Sequence, residues 1–139
     1  MKTVKQISVF VENKPGRLST VTRCLADANV NIRAVCMADT TDFGIFRLIV
    51  SDCEAAITAL KNAGITCSVT EVIAIGVNDV PGAFADAVQL LADAGLSVEY
   101  TYAFVTPENG KAYVILHVTD NELACKVLGE LTISENELV

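Results

Sequence analysis

The chain has 139 residues and a mass of 14.8 kDa, which is the length of one ordinary domain. Apolar residues make up 52% and charged residues 19%, and this excludes intrinsic disorder, which requires low hydrophobicity and high charge. Lys and Arg number 10 against 17 Asp and Glu, so the formal net charge is −7. Nucleic acids and anionic membranes are polyanions, and an acidic chain excludes them as partners.

Composition also bears on location and chemistry. No segment reaches the roughly 18 apolar residues of a membrane span, and no secretion signal is visible, so we expect a cytoplasmic protein. The five cysteines include no C-x-x-C pair and fit no zinc spacing; we expect neither a metal nor a cofactor. His117 is the only histidine, which removes most Ser-His and Cys-His catalytic arrangements. No catalytic residue is predicted.

The sequence contains an internal repeat. Gln6–Arg33 aligns with Val72–Glu99, and the segment Leu25–Ala28 recurs intact as Leu91–Ala94. The alignment resumes in the later part of each half after a two-residue insertion near Thr106–Gly110. A unit of this length is too long for a solenoid repeat, which runs about 20–50 residues. The repeat therefore predicts two domains, residues 1–70 and residues 71–139.

The first repeat reads as β-α-β-β-α-β in chain order. Alternating apolar residues predict strands, and apolar residues three and four apart predict helices. The predicted elements are a strand at Gln6–Val11, a helix at Pro15–Ala28, strands at Val30–Ala38 and Ile45–Val50 joined by Asp39–Gly44, a helix opened by the capping box Ser51-x-x-Glu54 and stopped near Gly64, and an extended stretch at Cys67–Val77. This order is that of the ferredoxin-like fold.

The second repeat follows the same order, with a capping box at Thr119-x-x-Glu122 and a weaker last strand near Thr132–Leu138. The predicted fold class is α+β: two ferredoxin-like βαββαβ domains in tandem, each an antiparallel sheet with its helices on one face. Alternation places Phe10, Val35 and Met37 on the face away from the helices. We expect this apolar face to be covered, for example in a homodimer.

Each repeat carries a turn between its first strand and first helix. A helix N-terminus leaves backbone N–H groups unpaired and carries the positive end of the helix dipole, so this turn favours an anion such as a carboxylate. The side-chain oxygen of Asn13 or Asp79 could accept a hydrogen bond from an ammonium group, and together these groups describe an α-amino acid site. The alternative is that Asn13 and Asp79 cap the helices. Residue types leave both open.

The two turns resemble a known family motif. Asn13-x-Pro15-Gly16-x-Leu18 and Asp79-x-Pro81-Gly82-x-Phe84 are similar to the Asp-x-Pro-Gly-x-Leu signature of ACT domains, and the chain resembles the small stand-alone tandem-ACT proteins. The resemblance implies a non-catalytic regulatory module that binds a free amino acid at these turns, at domain or subunit interfaces. The ligand-binding residues it implies are Asn13, Lys14, Pro15, Gly16, Arg17, Leu18, Asn78, Asp79, Val80, Pro81, Gly82, Ala83 and Phe84.

The two turns differ from each other and from the motif. Asn13 stands where the family often has Asp; the amide keeps an acceptor for an ammonium group and loses the charge attraction. Lys14 and Arg17 are replaced by Val80 and Ala83 in the second repeat. The two turns could therefore bind differently, or only one of them could bind.

Three other functions are compatible with a ferredoxin-like fold. The first is a regulatory subunit of an amino-acid biosynthetic enzyme, similar to the small subunit of acetolactate synthase; it differs in having a stable enzyme partner. The second is an acylphosphatase-like hydrolase, which needs an Arg in a glycine-rich turn; Arg17 is present but the surrounding turn does not match. The third, a metallochaperone, needs a C-x-x-C pair that the chain lacks.

Overall fold

The structure, a computed structural model, describes residues 1–39, 42–105 and 110–138. The predicted hairpin connection at Thr40 and Thr41 and most of the predicted insertion, residues 106–109, lie outside this range. The chain forms two compact units. The first unit is Lys5–Thr70, and the second joins Met1–Val4 to the chain from Glu71 onward.

The first unit has the order β-α-β-β-α-β. Its elements are β1 (Val4–Glu12), α1 (Arg17–Asp27), β2 (Ile32–Asp39), β3 (Phe43–Val50), α2 (Cys53–Asn62) and the start of β4 (Cys67–Asn78). The strand order is β2-β3-β1-β4, and β3 pairs antiparallel with both β1 and β2. The helices α1 and α2 pack beside each other.

The second unit repeats this order, and the remainder of β4 serves as its first strand. The elements that follow are α3 (Ala83–Asp93), β5 (Val98–Ala103), β6 (Lys111–Val118), α4 (Asn121–Leu128) and β7 (Thr132–Ile133). The strand order is β5-β6-β4-β7, and the pairs β5–β6, β6–β4 and β4–β7 are antiparallel. The predicted fold class, two ferredoxin-like α+β domains in tandem, is confirmed.

The two units bury equivalent residues. Inward-facing side chains of the strands pack against one face of each helix, which is the arrangement that the alternating and helical patterns predict. The buried core of the first unit includes Ile7, Val9, Val11, Leu25, Leu48, Ala56 and Leu60, and that of the second includes Ile73, Ile75, Val77, Leu91, Leu116, Ala124 and Leu128. The sequence repeat is therefore a repeat of the core.

The predicted capping boxes are wrong by one residue. The N-cap of α2 is Asp52, whose carboxylate accepts from the N–H of Ala55 at 3.1 Å, and that of α4 is Asp120, which accepts from Leu123 at 3.1 Å. Ser51 has another role, because its Oγ accepts from the N–H of Asn31 at 2.9 Å.

Two other predicted boundaries move. Helix α1 begins at Arg17 and not at Pro15, because Gly16 is the N-cap and lies in the left-handed region with φ of 86°. Strand β7 contains only Thr132 and Ile133. The residues after it form a 3₁₀ turn, Glu135–Glu137, in which the Oγ of Ser134 donates to the Glu137 carboxylate at 3.2 Å.

The predicted orientation of the β2 side chains Val35 and Met37 is wrong. Val35 and Met37 lie opposite Leu48 and Phe46 of β3, both of which are buried in the core. Residues directly opposite each other in an antiparallel pair share a face, so Val35 and Met37 lie on the helix side of the sheet. The cause is a register shift between Ile32 and Ala34, which adds one residue to β2 and reverses the faces of the residues after it.

The helix caps give a direct test of the corrected boundaries. We expect Asp120→Ala to lower the free energy of unfolding by about 1 kcal/mol, because it leaves the N–H of Leu123 without its acceptor. Thr119→Ala, which removes the residue that the capping-box pattern selects, is the matched control and is expected to change it by less than about 0.5 kcal/mol. Urea unfolding measures both. A larger loss for Thr119→Ala than for Asp120→Ala would restore the capping box.

Candidate functional site

The turn between β1 and α1 is held by backbone hydrogen bonds. They run from the N–H of Asn13 to the carbonyl of Asp42 (3.0 Å), from Lys14 to Glu12 (2.8 Å), from Arg17 to Lys14 (3.3 Å) and from Thr20 to Gly16 (3.0 Å). The first bond ties the turn to the residue before β3, and the others fold the chain back on itself before the helix begins. The conformation of the turn is therefore fixed mainly by its backbone.

The turn between β4 and α3 repeats these bonds one for one. They run from the N–H of Asp79 to the carbonyl of Gly110 (2.9 Å), from Val80 to Asn78 (2.9 Å), from Ala83 to Val80 (3.3 Å) and from Asp86 to Gly82 (2.9 Å). Side chains at several of these positions differ between the two turns while the backbone bonds do not. The duplication has preserved a backbone shape.

Glycine is required in both turns for its conformation. Gly16 and Gly82 are the helix N-caps, with φ of 86° and 90°, and a Cβ atom at either would meet nothing within 4 Å. Space is thus available for a side chain, but the left-handed backbone is strained for any residue with a Cβ. Neither helix has a side-chain cap.

The N-terminal ends of helices α1 and α3 have backbone N–H groups without an acceptor. Within the described part of the chain, nothing accepts from the N–H of Leu18 or Ser19 in α1, or of Phe84 or Ala85 in α3. These are the second and third residues of their helices, where N–H groups point outward along the axis. Each turn therefore presents a pair of donors and the positive end of a helix dipole.

Asn13 and Asp79 are not helix caps. Both are exposed, and their side chains make no hydrogen bond with any described residue. Of the two roles that the sequence leaves open for them, capping is thus excluded. Their side-chain oxygens remain open to an external donor.

A cleft of about 320 Å³ lies beside the first turn; we call it the first-unit cleft. Its lining includes Phe10 and Glu12 of β1, Arg17 and Thr20 of α1, Phe43 of β3 and Ile65, which precedes β4. Glu12 and Phe43 are cross-strand partners, and Phe10 shares their face of the sheet because it is two residues from Glu12. The residues that line the cleft thus include two phenylalanines, one glutamate and one arginine.

The charges of the two turns differ. In the first, Glu12 pairs with Lys14 (Oε2 to Nζ, 3.3 Å), and Arg17 has no ion-pair partner among the described residues. No acidic residue lies in the first turn of α1, whereas Asp86 lies in the first turn of α3. The turn between β1 and α1 is therefore electropositive, and the turn between β4 and α3 is not.

The second unit has a cleft of about 330 Å³ with other chemistry. Its lining includes Gly76, Lys111, Tyr113, Glu130, Ile133 and Glu137. None of the predicted residues of the second turn, Asn78–Phe84, lines it. Gly76 leaves room for the ring of Tyr113, which would lie 3.1 Å from a Cβ atom at that position.

Sequence reasoning found part of the first-unit cleft. Among the predicted ligand-binding residues only Arg17 lines it, while Asn13, Lys14, Pro15, Gly16 and Leu18 form the adjoining turn. Phe10 and Phe43 were missed as site residues. The signal for Phe10 was its place on the face away from the core. No local pattern marks Phe43, because only the pairing of β3 with β1 sets it opposite Glu12.

The single histidine packs against an aromatic ring. His117 stacks on Tyr100, with ring centroids 4.6 Å apart, and its Nδ1 lies 3.1 Å from a carboxylate oxygen of Glu99 without the alignment of a hydrogen bond.

The described residues bring together no group of three or more His, Cys, Asp or Glu that could ligate a metal. Over the same residues, no helix has both the length and the apolar character needed to cross a bilayer.

The chain has clear relatives among known protein families. A family model for the ACT domain pair matches residues 2–137. No curated protein matches the chain. The crystal structure of a Bacteroides thetaiotaomicron protein is similar, with 38% identity, a TM-score of 0.91, and coverage of 98% of this chain and 95% of that one.

More distant structures share the fold. The regulatory subunit of aspartate kinase from Thermus thermophilus has 17% identity and a TM-score of 0.61, with 91% of each chain covered. The regulatory subunit from Thermus flavus has 17% identity and a TM-score of 0.59, with 94% of each chain covered. Together with the family match over nearly the whole length and the two Pro-Gly turns, these similarities show that the chain belongs to the ACT domain pair family.

Proposed function

We propose that this protein is a non-catalytic, cytoplasmic regulatory protein that binds a free amino acid at its strand-to-helix turns. The observation that carries the proposal is the turn itself: the segment that holds two free N–H donors also carries an exposed side-chain oxygen without a hydrogen bond to any described residue, that of Asn13 in one unit and Asp79 in the other. A carboxylate fits the donors and an ammonium group fits the acceptor. An α-amino acid carries both groups on one carbon.

Membership of the ACT domain pair family supports a ligand-responsive role. Several features also favour binding over catalysis. The turns carry donors and acceptors but no nucleophile paired with a base, and the one histidine stacks on Tyr100, outside the residues that line the first-unit cleft. In the proposed mechanism the protein holds its ligand unchanged, and occupancy of the turn is the signal.

A thermal-shift screen of the common amino acids at millimolar concentration tests the proposal. A ligand that binds only the folded chain stabilises it by mass action, by about 2.7 kcal/mol at 100 times its dissociation constant. We expect at least one amino acid to raise the unfolding temperature by several degrees, and its unchanged recovery after incubation would support a non-catalytic role. No shift with any of them would refute amino-acid binding.

The second candidate keeps the ligand and adds an enzyme partner. Regulatory subunits of aspartate kinase are built on the same fold, which makes a subunit of an amino-acid biosynthetic enzyme the natural alternative. Affinity capture from native extract separates the two: stoichiometric recovery of one biosynthetic enzyme favours the alternative, and recovery of the chain alone favours the stand-alone protein.

For the stand-alone protein we propose a homodimer, because Val35 and Met37 expose 38% and 41% of their surface on β2. Light scattering should then give twice the chain mass, and a monomer mass would contradict it.

A further inference from the structure

We infer that the first-unit cleft selects an α-amino acid with an apolar side chain, and that the chain has one such site. The inference rests on the proposed function and names the class of ligand and the unit that binds it. The carboxylate of the ligand lies at the free N–H groups of the turn and pairs with Arg17. Its ammonium group lies toward Glu12 and the neighbouring Asn13 side-chain oxygen, and its side chain lies between Phe10 and Phe43.

Charge assigns the carboxylate to Arg17. Lys14 pairs with Glu12 at 3.3 Å, and Arg17 has no ion-pair partner among the described residues, so its guanidinium is the cation of the cleft that is open to a ligand. A guanidinium binds a carboxylate through two parallel hydrogen bonds. Arg17 is also the first residue of α1, so the free N–H groups of Leu18 and Ser19 add to the positive potential beside it.

Glu12 assigns the ammonium group. Its side chain is 44% exposed and that of Lys14 is 67% exposed, so the pair between them is a solvent-screened surface pair of small net stability. An incoming ammonium group can share the Glu12 carboxylate, which has more than one lone pair to offer. The hydroxyl of Thr20 is already engaged, because its Oγ1 donates to the carbonyl of Gly16 at 2.9 Å.

The residues that line the cleft indicate that the side chain of the bound amino acid is apolar. Phe10 and Phe43 are 51% and 52% exposed although large aromatic residues usually bury most of their surface, and Ile65 adds further apolar lining. A ligand side chain placed between them removes apolar surface from water on both partners, which favours binding. A charged side chain in the same place would lose its hydration without a partner. The volume, about 320 Å³, lies at the small end of ligand sites and fits one amino acid.

The second unit lacks this set of residues. The repeat and the strand register place Gly76 at the position of Phe10, Asn78 at Glu12, Ala83 at Arg17, Asp86 at Thr20 and Lys111 at Phe43. The aromatic walls and the guanidinium are gone, and Asp86 places a carboxylate in the first turn of the helix. The backbone turn is conserved while the cleft is not, so we expect one apolar amino acid per chain.

Calorimetric titration of the full chain tests the inference. Leucine and phenylalanine are the probes, with glutamate and lysine as side-chain controls and leucinamide as the control without a carboxylate. We expect leucine or phenylalanine to bind with one site per chain, and the other three compounds to bind at least about tenfold more weakly. Arg17→Gln should weaken binding about tenfold or more, because it removes a charge-assisted contact. Arg23→Gln, the same change at an exposed position of α1 outside the cleft, should not alter it.

Phe43→Ala supplies a second, independent arm, with Phe104→Ala, which lies outside both turns and the first-unit cleft, as its matched control. Binding that is weakened by Phe43→Ala and unchanged in its matched control supports the inference. Preference for a charged amino acid, two sites per chain, or affinity unchanged in both Arg17→Gln and Phe43→Ala would overturn it and leave the proposed function standing. Failure of every common amino acid to bind would overturn the proposed function as well.

Discussion

Replacement of Leu25 by alanine is expected to lower the free energy of unfolding by about 3 kcal/mol. Leu25 is fully buried in the core of the first unit, where it packs among side chains of α1, α2 and the sheet. Alanine leaves a cavity that a close-packed core fills only in part. Leu91 occupies the equivalent place in the second unit, also with no exposed surface, and Leu91→Ala is expected to cost the same amount.

Leu90 provides the matched control on α3. It is adjacent to Leu91 but 41% exposed, so Leu90→Ala removes the same atoms without opening a cavity, and we expect a loss under about 1 kcal/mol. Urea unfolding followed by circular dichroism measures all three variants. Equal losses for Leu90→Ala and Leu91→Ala would contradict the helix facing described for the second unit.

The second large effect is expected at the left-handed glycine of the first turn. Gly16→Val should lower the free energy of unfolding by about 2 kcal/mol, because a β-branched residue is strained at φ of 86° even where the space around its Cβ is empty. Relief of the strain moves the turn and the N–H groups that follow it. We therefore expect Gly16→Val to lose amino-acid binding as well.

Two variants isolate the causes. Gly82→Val imposes the same strain in the second turn, at φ of 90°, and should lose similar stability yet keep the ligand of the first-unit cleft. Gly16→Asn should cost less than Gly16→Val, because asparagine tolerates the left-handed region. Thermal unfolding with and without the ligand measures both quantities. Binding retained by Gly16→Val and lost by Gly82→Val would move the site to the second unit.

The architecture could be predicted from the sequence because the sequence contains it as an internal repeat. The matching runs at Leu25–Ala28 and Leu91–Ala94, and the Pro-Gly pairs that precede them, mark equivalent helices, and the period-2 and period-3.6 patterns then supply the strand and helix order. The errors arose where a single residue changes the outcome. The bulge near Ile32 reverses every later side chain of β2, and Asp52 displaces Ser51 as the helix cap because Ser51 is bonded to Asn31.

The candidate site was only partly readable. The turns could be predicted because glycine, proline and a helix start are local signals. The cleft could not, because it depends on which strand pairs with β1 and in which register: Phe43 reaches it from β3, and Ile65 from the approach to β4. Long-range pairing of this kind leaves no mark in the residues near Arg17.

Amide chemical shifts give the most direct test of the claim that the first turn receives the carboxylate of a free amino acid. In a two-dimensional ¹H–¹⁵N spectrum titrated with the amino acid that binds, we expect the largest changes at the amides of Arg17, Leu18 and Ser19, because their N–H groups lie at the start of α1. The equivalent amides of Ala83, Phe84 and Ala85 should move least among the turn residues. Saturating changes confined to residues outside the first turn and the first-unit cleft would contradict the account.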